Sequence, residues 1–264
     1  MKSEKDTWLF VPAIEKYAKK ISELQADVLI LDLEDSLTLS QKQEGLQIVA
    51  NILQEYESRN TIYVRVNKTE QMAEELEALS PYHFTGYMIP KFEQAGEMEG
   101  FQNLLQGKEI IALVESIKGV VNLEQIAADP LVNKLAFGGE DYCKELGLQA
   151  GREATVYARN KMVLYAAYYQ KDALDTISFE TKDMDAFLKE YILSRNMGFT
   201  SKLLIHPAQV EKVALYESSI NREYLHNIVK TFQKSGQGVV RIDGKWYEKP
   251  HIEKIISYLN ETEG

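Results

Sequence analysis

The chain reads as an α/β protein, a (β/α)8 TIM barrel with a short C-terminal extension of helix, small hairpin and helix. Three observations predict it. Eight short β-rich runs alternate with longer stretches of helical pattern, most of the runs are continuously apolar, and the first run lacks a glycine-rich turn. Continuous apolar runs mark strands covered on both faces, as in a parallel sheet. Alternation of strand and helix implies right-handed βαβ units, and eight of them within about 200 residues is the repeat of a barrel. An open doubly wound sheet usually carries a phosphate-binding glycine turn after its first strand. Here that place is taken by Pro12-Ala13-Ile14-Glu15.

In chain order the strands are predicted at Trp8–Val11, Val28–Leu33, Thr61–Val66, Tyr87–Ile89, Ile110–Val114, Lys134–Phe137, Leu174–Phe179 and Leu203–Ile205. Between them Ser40–Ser58, Glu70–Leu79, Val120–Ala127, Thr155–Gln170 and Asp183–Arg195 place apolar residues at helical spacing, with Ser40 and Asp183 positioned as N-caps. After the eighth strand come a helical stretch from Arg222 to Lys234 and a hairpin around Asp243-Gly244, and a last helix starts near Pro250. Residues 1–218 are therefore assigned to the barrel. Residues 219–264 form an arm that caps it or lies on a neighbouring subunit.

Composition narrows the function. The 264 residues carry 30 Lys+Arg against 40 Asp+Glu, a net charge of −10, with 45% hydrophobic residues. An acidic chain argues against nucleic acid or an anionic membrane as a main partner. Met1–Asp6 is charged and no apolar run reaches membrane-spanning length, so a soluble cytoplasmic protein is expected. The single cysteine, Cys143, cannot form an internal disulfide.

Ionisable residues gather at the expected strand ends, where barrel chemistry resides. Glu115 and Asp141 close the fifth and sixth strands, adjacent in the sheet. Converging carboxylates repel unless a cation sits between them, and Mg2+ is commonly held by one or two carboxylates plus substrate oxygens and waters. The plainer reading makes Glu115 a neighbour of a helix N-cap and Asp141 part of a solvated loop. Arg65 interrupts the β-branched run Ile62-Tyr63-Val64-Arg65-Val66. Its fork suits a substrate carboxylate, or an internal ion pair with Asp32 or Glu34. Asp32, Glu34 and Asp35 place three carboxylates in four positions, able to orient water or to pair with Arg65. Lys16 and Lys20, four apart, are either a solvated helix face or a rest for an anionic substrate handle. His206 is a base or a hydrogen-bonded structural residue.

Taken together, these segments carry a resemblance. Leu9-Phe10-Val11-Pro12, Leu31-Asp32-Leu33-Glu34-Asp35-Ser36, Val64-Arg65-Val66-Asn67, Ile89-Pro90-Lys91 and Ala112-Leu113-Val114-Glu115-Ser116 stand in order. Phe137-Gly138-Gly139-Glu140-Asp141-Tyr142, Ala158-Arg159 and Lys202-Leu203-Leu204-Ile205-His206-Pro207 continue the series. The set resembles the citrate lyase β-subunit-like proteins of the HpcH/HpaI aldolase superfamily, over residues 8 to 258. The resemblance implies a barrel that binds Mg2+, or Mn2+ in its place, through Glu115 and Asp141. It implies that Arg65 grips the oxo-acid end, that Phe10, Glu115, Lys16 and Lys20 also meet substrate, and that Glu34, Asp35 and Glu248 join Arg65 in catalysis. It further implies cleavage or formation of a C–C bond in a hydroxy-acyl-CoA such as citryl-, malyl- or citramalyl-CoA. A homotrimer is implied as well, with the C-terminal segment reaching a neighbour's site.

The chain departs from the family pattern at Asp6-Thr7, Pro12-Ala13, Ser178, Glu180 and Glu248. These positions bear on the CoA partner and the acyl group more than on the metal pair. The alternatives are a metal-dependent aldolase on free hydroxy- or oxo-acids, and a non-catalytic subunit of a larger assembly.

Overall fold

A computed structural model describes residues 7–56, 61–148, 152–219 and 222–261. Eight parallel strands close into a barrel in the order β1 (Thr7–Pro12), β2 (Val28–Asp32), β3 (Thr61–Arg65), β4 (Gly86–Ile89), β5 (Glu109–Val114), β6 (Lys134–Phe137), β7 (Asp172–Asp175) and β8 (Ser201–Leu204). β8 returns to β1 with Trp8 opposite Leu203, so no strand edge of the barrel is left open. The apolar runs form strands because both faces are covered; every residue of β2 is buried. Alternate side chains, among them Trp8, Val28, Ile30, Tyr63, Met88, Ile111, Leu113 and Leu203, fill the interior as one buried cluster. Their neighbours in sequence face the helices.

The intervening helices are α1 (Glu15–Ala18), α2 (Lys42–Glu55), α3 (Met72–Leu79), α4 (Ile117–Val121), α5 (Leu123–Ala128), α6 (Gly139–Glu145), α7 (Arg152–Tyr168), α8 (Met184–Met197) and α9 (Pro207–Ser219). Asp183 caps α8 as expected, its carboxylate accepting from the N–H groups of Asp185 and Ala186. Ser40 does not cap α2. The turn ahead of that helix begins at Thr38, whose N–H donates to Gln41 Oε1 at 3.0 Å, and Ser40 lies inside it. The predicted end of this helix at Ser58 falls outside the described residues, as does Met1–Asp6.

Two further expectations need correcting. The helix predicted over Val120–Ala127 is two pieces, α4 and α5, broken at Asn122, whose side-chain amide donates to the Glu93 carbonyl at 2.8 Å. The seventh strand stops at Asp175 rather than Phe179. Beyond it the backbone acceptors go to side chains instead of a strand ladder: Lys202 Nζ donates to the Thr176 carbonyl at 2.6 Å, and Gln209 Nε2 to those of Ser178 and Glu180 at 2.9 and 3.0 Å.

The chain divides into two units between Val213 and Ala214. The second contains α10 (Arg222–Ser235), an antiparallel hairpin of β9 (Val239–Ile242) and β10 (Lys245–Glu248), and α11 (Lys249–Glu261). Asp243 and Gly244 turn the hairpin with φ of 47° and 81°, the left-handed pair that an Asp-Gly turn supplies. Ile228, Ile242 and Ile252 form its small core. No helix among the described residues is long and apolar enough to cross a membrane.

Candidate active site

The register of the barrel brings the first charged pair together. Asp32, last in β2, lies directly opposite Arg65, last in β3. Arg65 donates to both carboxylate oxygens, Nε to Oδ1 at 2.7 Å and Nη2 to Oδ2 at 2.8 Å. Burial alone would raise the Asp32 carboxyl; the guanidinium more than reverses this and holds it below the ordinary range. Asp32 also accepts the N–H groups of Glu34 and Ser36 at 3.0 and 3.2 Å, which turns the chain after β2. That turn is anchored from outside by Lys42, whose ammonium donates to the carbonyls of Leu33 and Glu34 and to Asn67 Oδ1 at 2.7, 2.5 and 2.8 Å.

With Nε and Nη2 committed to Asp32, Arg65 turns its remaining Nη1 toward Glu34 Oε2 at 3.2 Å and Asp35 Oδ2 at 3.5 Å. The Phe10 ring centroid lies 4.8 Å from the guanidinium carbon. Arg65 thus makes the internal ion pairs that its place in an apolar run required, and only its Nη1 side is directed at weaker partners.

Glu115 follows β5 and is buried. Its Oε1 accepts the backbone N–H of Lys91 at 2.8 Å. Lys91 presents that N–H from a left-handed conformation, φ 49°, just past β4, while its ammonium meets Glu34 Oε1 at 3.2 Å. The other face of Glu115 lies over Gly138, the residue after β6. A Cβ there would fall 2.5 Å from both Glu115 Cβ and Oε2, so only glycine leaves room for the carboxylate. Burial, then the nearby Glu34 carboxylate, raise the Glu115 carboxyl to about 8 against the pull of the Lys91 amide; Asp141 adds to the rise. Glu34 is itself lifted by burial, which outweighs Arg65 and Lys91.

Asp141 does not close the sixth strand, as its spacing suggested. β6 ends at Phe137, and Asp141 stands on the first turn of α6, half-buried, with no hydrogen bond or ion pair among the described residues. The two carboxylates still share one cavity of about 360 Å³ at the strand mouths. Its lining combines the charged side chains of Asp32, Asp35, Arg65, Glu115, Glu140 and Asp141 and the hydroxyls of Ser36 and Thr176 with the apolar side chains of Phe10, Leu113, Phe137, Ile177, Leu203 and Ile205. Among the described residues no three His, Cys, Asp or Glu side chains converge as a ready metal cage. A cation at Glu115 and Asp141 would take its other ligands from water or substrate oxygens, the coordination Mg2+ favours.

Of the sequence-predicted residues, Arg65, Glu115, Asp141, Asp35 and Phe10 line this cavity, and Glu34 sits behind it against Arg65. Lys16 and Lys20 do not. Both are exposed, and α1 ends at Ala18, so Lys20 lies past the helix and the two do not share a helical face. Glu248 ends β10 in the second unit, exposed, its N–H donating to His251 Nδ1 at 3.2 Å. His206 is exposed and accepts the Ala208 N–H at 3.1 Å at the start of α9, a structural hydrogen bond. Sequence reasoning assigned no role to Lys91, Gly138 or Lys42. The signal was present only as the neighbouring motifs Ile89-Pro90-Lys91 and Phe137-Gly138-Gly139.

A family model described as HpcH/HpaI aldolase/citrate lyase matches residues 7–207, from the start of β1 to the first residue of α9. The chain belongs to the HpcH/HpaI aldolase/citrate lyase family. Among its relatives, a (3S)-malyl-CoA thioesterase of Cereibacter sphaeroides is 31% identical across 97% of this chain and 93% of that protein. The mitochondrial citramalyl-CoA lyase of Homo sapiens is 27% identical, over 93% of this chain and 82% of the lyase. A crystal structure of CitE from Mycobacterium tuberculosis, in complex with magnesium, acetoacetate and coenzyme A, superposes with a TM-score of 0.82 at 25% identity, covering 98% of this chain and 99% of that one. Family membership accounts for the order of the strand-end motifs, and Glu115, Asp141 and Arg65 occupy the strand mouths where such a barrel does its chemistry.

Proposed function

We propose that this protein is a cytoplasmic, Mg2+-dependent carbon–carbon lyase. It cleaves, or in reverse forms, a hydroxy-acyl-CoA thioester such as citryl-, malyl- or citramalyl-CoA. One observation carries the reading: buried Glu115 and half-buried Asp141 share a cavity with Arg65, and among the described residues no Lys or Arg forms a direct ion pair with Glu115. Two acids so placed fit a dication. The ion would be held by Glu115 and Asp141 and would act as a Lewis acid toward the oxo-acid half.

The chain's own groups supply the rest. Asp32 fixes the Arg65 plane so that Nη1 meets the substrate carboxylate, displacing Glu34 and Asp35 as its partners. The hydroxyl proton passes to Asp35, which lines the cavity, or to Glu34 behind it, as the C–C bond breaks. The bond's electron pair moves to the thioester as an enolate, which takes a proton from Glu248 of a neighbouring subunit in a homotrimer. On this reading residues 1–218 hold the metal and oxo-acid. Residues 219–264 complete the site, and Lys16 and Lys20 meet the CoA phosphates outside the cavity.

The test is release of acetyl-CoA from the three thioesters with Mg2+ and with chelator. Turnover is expected only with the metal, and Glu115→Gln is expected to lower it by about 100-fold or more. Turnover indifferent to chelator would overturn the assignment. A second reading, an aldolase on free hydroxy- or oxo-acids, is favoured by the exposure of Lys16 and Lys20 away from the cavity. It predicts cleavage of the free acids with no thioester needed.

A further inference from the structure

Glu34 and Asp35, the proton acceptors of the lyase reading, stand on the turn after β2, and the backbone of that turn is held from behind. Asn67, two residues past the end of β3, is buried, and so is Glu75 on α3. A glutamate is rarely buried unless it is paired. Here the partner is Asn67. Its N–H donates to Glu75 Oε2 at 2.7 Å, and its Nδ2 donates to Glu75 Oε1 and, at 3.0 Å, to the Leu33 carbonyl. Its Oδ1 accepts from Lys42, whose ammonium also holds the carbonyls of Leu33 and Glu34. Every donor of the Lys42 ammonium and of the Asn67 side-chain amide is thereby used. None of Lys42, Asn67 and Glu75 lines the cavity at the strand mouths.

The two ends of this chain of bonds are of opposite kind. An ammonium only donates and an ionised carboxylate only accepts, so the amide between them lies one way round, oxygen toward Lys42 and nitrogen toward Glu75. Reversed, it would set an NH2 against the ammonium and a carbonyl oxygen against the carboxylate, and its bond to Leu33 would be lost. Burial raises the Glu75 carboxyl, and Glu74 beside it adds to the rise; the Asn67 bonds and the Lys42 charge draw it down.

We propose that Glu75 is a positioning residue. By fixing the direction of the Asn67 amide it holds the Leu33–Glu34 backbone, and so places the carboxylates of Glu34 and Asp35 against Arg65 Nη1, at 3.2 and 3.5 Å. This rests on the lyase reading and adds to it a group on the helical layer that does not meet substrate. Glu75→Gln keeps the size of the side chain but trades an acceptor for a donor, so the Asn67 N–H and Nδ2 can no longer both be met.

The test is acetyl-CoA release by the full chain with Mg2+, on whichever of citramalyl-, malyl- and citryl-CoA the wild type cleaves fastest. Glu75→Gln is expected to lower kcat about 10- to 100-fold. KM, and Mg2+ affinity by calorimetry, are expected to stay within about threefold, because Arg65 keeps Asp32 and the metal pair stands on other elements. Asn67→Asp alone sets two carboxylates face to face and is expected to be as slow. In the double variant, Asn67→Asp with Glu75→Gln, the new amide donates to the new carboxylate, which still accepts from Lys42. Its kcat is expected to return to within about threefold of wild type, whereas two unrelated lesions would add. Wild-type kcat in Glu75→Gln, a matching loss of Mg2+ affinity, or a double variant no faster than the single ones overturns the inference and leaves the lyase standing. If a single variant does not fold, the double variant decides: folded and active supports the inference, and anything else overturns it. A wild type that cleaves none of the three thioesters removes the lyase reading, and the inference with it.

Discussion

Glu115 concentrates the tension of the site in one side chain. A carboxyl raised to about 8 binds its proton more tightly folded than unfolded, where the ordinary value is 4.5. Its contribution to stability is therefore fully present below pH 4.5 and is lost as the pH rises toward 8. In the metal-free protein the Glu115→Gln variant is expected to gain on the wild type across that window, by on the order of a few kcal/mol at pH 8. Urea unfolding at pH 5 and pH 8 checks it; a constant difference between the two proteins would contradict the buried, uncompensated carboxyl. Gly138→Ala attacks the same carboxylate from its other face. The added methyl must push Glu115 aside, so Mg2+ binding by calorimetry is expected to weaken at least tenfold while far-UV circular dichroism stays unchanged. Legibility at this scale followed chemistry. Arg65 and Glu115 were readable because a charge inside or ending an apolar run demands a reason. The Lys91 amide and the missing Cβ of Gly138 hold Glu115 just as firmly, yet a backbone N–H and an absent methyl leave no label in a sequence.

At the scale of elements, the strands declared themselves because a run covered on both faces must be apolar throughout, and most predicted limits lie within two residues of the observed ones. The failure at β7 is informative. Ile177 and Phe179 continue an alternating pattern, but the chain leaves the sheet where Asp175 meets two helices and a strand. Arg159 on α7 donates to Asp175 Oδ1 and Oδ2 at 2.8 and 2.6 Å, Ser194 on α8 donates to Oδ2, and Lys202 on β8 approaches it at 3.4 Å. Burial would raise Asp175, and Lys202 with Arg159 more than offsets it, so the carboxyl is held below its usual range. This cluster fastens the helical layer to the wall beside the segment Thr176–Glu180, three residues of which line the candidate site. Asp175→Asn leaves the facing cations without their anion and is expected to cost about 3–5 kcal/mol by denaturant unfolding. An effect below about 1 kcal/mol would mean that apolar packing alone holds α7 and α8 in place. No sequence pattern announced the cluster, because its members lie on four elements and meet only after the barrel closes.

For the whole molecule, the lyase reading gives the second unit a part in catalysis. It has its own small core of Ile228, Ile242 and Ile252, and it presents Glu248 at the end of an exposed hairpin. The hairpin was legible from Asp243-Gly244, since few residues accept two successive left-handed positions. A contact with another subunit was not legible, because assembly geometry is encoded in no local pattern. If each active site joins one subunit's barrel to a neighbour's tail, two dead variants will complement. Glu115→Gln spoils only the barrel half, and Glu248→Gln only the tail half. Unfolding and refolding the two together in equal amounts is expected to restore about a quarter of wild-type turnover, the fraction of sites that receive an intact barrel and an intact tail from a symmetric ring of mixed composition. Each variant refolded alone is expected to stay inactive, with Glu248→Gln retaining wild-type Mg2+ affinity because its metal carboxylates are untouched. Mixtures no more active than the separate variants would place Glu248 in its own chain's site or outside catalysis, and a fully active Glu248→Gln would select the second of these.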